Sequence, residues 1–206
     1  DLVVAKAEAH EVDKVVFLGD QYHNHSLIYL QVMEFWEKTF ERFVNLCGSS
    51  FNTLNCDIVA LVGNHDKAGH ANSKANSMML HKDVKIVDES FEDDGILYVA
   101  YQHKPEDFIR LCKASKAKTV VCHQTFYGSR YENGFYAPAK DSINPDLIPQ
   151  TTIISGHIHT AQSFGKVWYP GSPRWRIATD ANVEKFIYLV QHESDGSIVS
   201  KVPFST

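Results

Sequence analysis

The sequence has no apolar run near the roughly 20 residues that a membrane-spanning helix requires. No charged, apolar and small-residue leader is visible either, so neither a span nor a signal peptide is expected. Cysteine is scarce: Cys47, Cys56, Cys112 and Cys122 form no C-x-x-C pair. Cys56 and Cys122 sit in or beside apolar runs, which predicts reduced core thiols and a cytoplasmic protein. Basic charge is in deficit: the formal net charge of −5 counts against a protein that coats nucleic acid by charge alone. A nuclease stays open, because bound divalent cations would reverse the potential locally. There is no internal repeat and no linker, and a 44% hydrophobic share is enough for a core. One domain over residues 1–206 is therefore expected.

What is present is a repeated pattern of strand exits. Ile58 to Val62 is an apolar, partly β-branched run suited to a buried strand, and Gly63-Asn64-His65-Asp66 follows it at once. Val15 to Leu18 leads into Gly19-Asp20 and His23 in the same way. Thr119 to Cys122 ends in His123, and Thr152 to Ser155 leads to Gly156-His157-Ile158-His159. In an α/β protein, loops at the carboxyl ends of strands carry the chemistry. Strand-like alternation would point His157 and His159 to the same side. Taken singly, each motif reads best as a polar turn or a hydrogen-bonded histidine. Together they offer imidazole nitrogen with carboxylate and amide oxygen, a ligand set suited to Mn, Fe or Zn. His10, His70, His81, His103 and His192 fall outside the pattern and read as surface or packing residues, and His25 is undecided.

The remaining elements follow from periodicity. Residues 1–11 and the stretch from Ser26 to Gly48 read as helices, the second with an aromatic stripe (Phe35, Trp36, Phe40, Phe43) expected in the core. A short helix is expected from Ala71 to His81, a strand over Val84–Val87, and a hairpin around Asp94-Gly95. Pro105 opens a helix to about Ala114. Residues 124–149 lack periodicity. They are either a surface excursion or a substrate loop, with aromatics to stack on bases and Arg130 or Lys140 near phosphate. Residues 185–192 and 197–202 read as a hairpin. Helices and strands first, then hairpins, suggest an α/β (α+β) fold of two packed mixed sheets with helices outside.

In their order and approximate spacing, Gly19-Asp20-x-x-His23, Gly63-Asn64-His65-Asp66, His123 and Gly156-His157-x-His159 resemble the calcineurin-like metallophosphoesterase superfamily. Pro170-Gly171-Ser172-Pro173 and His23 resemble its nuclease branch, the SbcD-type subunit of the SbcCD exonuclease of bacteria and phages. The resemblance spans residues 15 to about 190. It departs in one respect: the opening Asp-x-His strand of the family is not found, and Glu8-Ala9-His10 is only a look-alike.

The resemblance implies a four-layer α-β-β-α sandwich and two divalent ions, Mn²⁺ first, with Mg²⁺, Fe²⁺ or Zn²⁺ as alternatives. Asp20 would bridge them. Asn64, His123 and His157 would complete one ion's shell, and His159 would belong to the other. His65 would stabilise the transition state or protonate the leaving oxygen, with Asp66 orienting it and His23 positioning phosphate. The expected function is a DNA exonuclease or endonuclease in repair, recombination or phage DNA metabolism. DNA and an SbcC-type coiled-coil ATPase would be its partners, a homodimer is left open, and no membrane is involved. A phosphoesterase acting on phosphoproteins, nucleotides or small phosphodiesters, and a non-catalytic scaffold, are the alternatives.

Overall fold

The computed structural model describes residues 2–24, 27–48, 57–69, 75–174 and 183–204. Helix α1 (Leu2–Ala9) leads to strand β1 (Lys14–Phe17), helix α2 (Leu30–Gly48), β2 (Asp57–Leu61) and β3 (Lys85–Val87). These three strands form a parallel sheet in the order β1-β2-β3. Strands β4 (Ser90–Asp93), β5 (Ile96–Val99), β6 (Thr119–Cys122), β7 (Thr152–Ser155), β8 (Gln162–Phe164) and β9 (Val167–Tyr169) form a second sheet. Its order is β4-β5-β6-β7-β9-β8, with antiparallel strands only at its two edges. Helix α3 (Pro105–Ala114) crosses between β5 and β6. Strands β10 (Phe186–Glu193) and β11 (Gly196–Pro203) pair only with each other among the described residues, so the expected two sheets become three.

The layers follow from alternation along each strand. On β2, Val59 and Leu61 face the second sheet, while Ile58 and Ala60 face the helices. On β6, Val121 faces the first sheet, whereas Val120 and Cys122 face α3 and the segment beyond it. On β5, Tyr98 divides from Leu97 and Val99 in the same manner. Three core clusters thus separate four layers: α1 and α2, the small sheet, the large sheet, then α3 with residues 126–148. Tyr188 and Val199 pack the β10–β11 hairpin onto the core between the sheets. Each fully buried Leu, Ile or Phe contributes about 1.5–3 kcal/mol, so these interfaces hold the strand exits in fixed relation.

Several local expectations change. Phe35 is 60% exposed while Phe40 and Phe43 are buried, so the aromatic stripe of α2 is only partly core. In place of a helix ending at His81, a 3-10 turn spans Ser77–Leu80, opened by the Asn76 side chain accepting the Met79 amide. The start of the expected helix at Ala71, and also His25, Ser26, Cys56 and His70, lie outside the described residues. The Asp94-Gly95 turn is present, with φ of 48° and 75° as its tight geometry requires.

Candidate metal centre

Strands β1 and β2 are parallel neighbours, so their exits emerge side by side. The Asp66 carboxylate ties them together. Its Oδ2 accepts the amides of Asp20 at 2.7 Å and Gly63 at 2.9 Å, and its Oδ1 accepts the amide of Tyr22 at 2.9 Å. Asp20 returns the link, its Oδ1 accepting the His65 amide at 2.9 Å. Asp66 therefore positions the two turns through their main-chain amides. Gly63 has to lack a side chain, because a Cβ there would overlap the Asp20 carboxylate.

From the second sheet, β6 and β7 bring two imidazoles to the same place. His123 Nε2 lies 3.3 Å from Asp20 Oδ2 and 3.1 Å from Asn64 Oδ1. His157 Nδ1 lies 2.9 Å from the same Asn64 oxygen and 3.2 Å from His123 Nε2. Strand β7 stops at Ser155, and His157 then adopts a left-handed φ of 73°, so the expected alternation with His159 does not arise. That turn carries the His157 ring onto Asn64. Asp20, one of the other ligand-type residues, is also left-handed, with φ of 60°.

These donors fit a cation. One ligand atom each from Asp20, His123 and His157 lies within 4.8 Å of the others, and two ring nitrogens face one amide oxygen. The other nitrogen of His123, Nδ1, donates to the Leu18 carbonyl at 2.6 Å, which fixes the ring and turns Nε2 inward as the ligand atom. Burial, then the neighbouring His123, pushes the His157 pKa down to about 3, so this ring is neutral and ready to donate its lone pair. Burial opposes charge on His123 and on Asp20, but their mutual attraction prevails. It raises the imidazole pKa and holds the carboxyl well below its usual range. A cation bound there would take over the role of the His123 proton.

Around this group lie further functional side chains. The His65 ring stacks on His23 at 5.3 Å, and its Nδ1 donates to the His23 carbonyl at 2.8 Å. A carbonyl only accepts, so in the neutral ring Nε2 is the basic atom. His159 Nδ1 lies 2.9 Å from Glu132 Oε1, on the long segment after β6, and not in the Asp20 group. Arg130 donates from Nε to the Gly134 carbonyl at 2.9 Å within its own turn, and Lys140 is exposed on a 3-10 turn (Ala139–Asp141). Neither joins the cleft that Asp20, His23, His65, His123, His157 and His159 line with Pro170–Arg174. Sequence reasoning missed Tyr101, whose ring stacks on His157 at 6.0 Å and 19°. The signal was available: Tyr101 stands just past β5, another strand exit beside β6. It also missed Lys67, whose Nζ donates to the Tyr101 carbonyl at 2.8 Å.

Among the described residues, no helix is long and apolar enough to cross a membrane. A search of curated proteins returns no match. The family model described as calcineurin-like phosphoesterase matches residues 2–161, well over half of the sequence, and the chain belongs to that family.

Proposed function

We propose that this chain is a metal-dependent phosphodiesterase that cleaves DNA in the manner of an SbcD-type nuclease subunit. The observation that carries the reading is the donor group of Asp20, Asn64, His123 and His157 opening on a cleft beside His65. A divalent ion bound there would activate water and offset charge on the phosphorus centre. The protein's own residues do the rest. Asp66 holds the Asp20 turn, and the Leu18 carbonyl orients His123. His65, with Nδ1 held by the His23 carbonyl, would give up an Nε2 proton to the leaving oxygen from its doubly protonated form and return to the neutral ring. A second ion, with His159 among its ligands, remains part of the proposal, as do Mn²⁺ as the preferred ion and a cytoplasmic setting.

The choice of DNA is supported by two features of the cleft. His23 and the Pro170-Gly171-Ser172-Pro173 segment both line the cleft that Asp20, His123 and His157 also line. The segment is anchored there by the Ser172 amide, which donates to the His159 carbonyl at 2.9 Å. A wall of this kind gives contacts beyond a single phosphate, which suits a polymeric diester. An SbcC-type coiled-coil ATPase is the partner this reading implies. The test is cleavage of linear duplex and single-stranded DNA under Mn²⁺ against hydrolysis of p-nitrophenyl phosphate. Strong phosphomonoesterase activity without DNA cleavage would replace this reading with that of a phosphatase acting on phosphoproteins or nucleotides.

A further inference from the structure

The turn that carries Asp20 is held from behind by a buried chain of hydrogen bonds. His81 is 5% exposed and Tyr22 only 2%. The Tyr22 hydroxyl lies 2.8 Å from His81 Nε2, and His81 Nδ1 lies 3.1 Å from Glu37 Oε2 on α2. The Glu37 carboxylate only accepts, so Nδ1 carries the ring proton, and Nε2 of the neutral ring accepts from the phenol. Every group is then satisfied in one arrangement, which fixes the Tyr22 side chain. The Tyr22 amide in turn shares the Asp66 carboxylate with the Asp20 amide. Next to Glu37 on α2, Trp36 donates from Nε1 to the Gln21 carbonyl at 2.6 Å. The helix thus grips the residue between Asp20 and Tyr22 as well.

We propose that His81 is a positioning residue for the metal centre. It couples Glu37 to Tyr22 and so fixes the turn that presents the Asp20 carboxylate. The ring touches no donor of the centre, and it acts through two side chains and a main-chain amide. Hydrogen-bonded partners behind a ligand commonly govern metal affinity by about 10–100-fold. This inference rests on the metal-centre reading for its binding arm only.

The test compares His81→Phe and Tyr22→Phe with Phe43→Leu, which thins the same core cluster outside the chain of hydrogen bonds. His81→Phe keeps a ring against Phe40, now 4.8 Å away, but removes both hydrogen bonds. Two readouts are taken: amide hydrogen exchange at Asp20 and Tyr22 in metal-free protein, and Mn²⁺ affinity by calorimetry. Both chain variants are expected to speed exchange at those amides and to weaken Mn²⁺ by about tenfold or more. Phe43→Leu is expected to lower Tm without either effect. His81→Gln, which keeps an acceptor and a donor, is expected to recover part of the affinity. If the chain variants match Phe43→Leu in both readouts at equal Tm, the inference is overturned. If the unmodified protein takes no Mn²⁺, the metal reading falls, and the exchange measurement alone decides the role of His81.

Discussion

The carboxylate of Asp66 accepts the Asp20 amide at 2.7 Å, across 46 residues of sequence. The same side chain holds Gly63 and Tyr22, so it is the joint between the two strand exits of the small sheet. Asp66→Ala would leave three amides without their acceptor, those of Tyr22 and Gly63 buried and that of Asp20 partly so. Each such orphan costs about 1–3 kcal/mol, so a loss near 3 kcal/mol or more is expected. Urea denaturation measures it, and Mn²⁺ affinity should fall in parallel. Asp66→Asn keeps one acceptor oxygen and should lose less of both. A neutral effect of Asp66→Ala on both quantities would refute the joint.

His65 stands beside the donor group without belonging to it. His65→Ala should therefore bind Mn²⁺ as the unmodified protein does while hydrolysis drops about 10²–10⁴-fold, the range for loss of a general acid or base. Calorimetry and turnover on a diester substrate separate the two. Loss of Mn²⁺ as complete as in His123→Ala would place His65 among the ligands.

His123 and His159 should respond differently to removal. His123 contacts both Asp20 and Asn64, so His123→Ala should cost more than the about 100-fold that a mere supporting residue costs. His159 is beside Glu132, and His159→Ala should leave the tight ion in place. One tight site per chain is the expected calorimetric stoichiometry for these donors, with EDTA abolishing hydrolysis and Mn²⁺ restoring it. Equal loss in the two variants would mean that His159 shares the first ion.

The two described cysteine thiols set an alkaline limit. Burial pushes Cys112 from 9.0 up to about 12 and Cys122 upward as well. Tyr22 moves in the same direction, to about 12, also through burial. Above pH 9 the unfolded chain releases thiol protons that the folded chain keeps. The unfolded state then binds fewer protons, so stability is complete below about pH 9 and declines as pH rises toward about 12. Tm measured from about pH 8 to pH 11 should fall, and less steeply in Cys112→Ala, whichever way that variant shifts the neutral Tm. A flat profile in the unmodified protein would contradict it.

The sequence carried the strand exits clearly because each one couples an apolar run to an abrupt polar turn, and both features are local. The helices α1 and α3 and the Asp94-Gly95 hairpin were legible for the same reason. What was hidden depends on distant partners. The role of Asp66 requires three amides from two turns to meet, and no spacing in the sequence reports that. The neighbour of His159 depends on the path of the aperiodic segment carrying Glu132. His81 looked ordinary because its partners, Tyr22 and Glu37, lie 59 and 44 residues away.

The left-handed backbone at Asp20 and His157 sets the interests of folding against those of chemistry. A side chain in that region costs about 1 kcal/mol or more, which glycine would avoid. A laboratory selection for heat resistance alone, blind to hydrolysis, should therefore drift toward glycine at position 157 and surrender the ligand. Selection that demands both should leave His157 alone and accumulate its gains far from the strand exits, in the helices and outer cores.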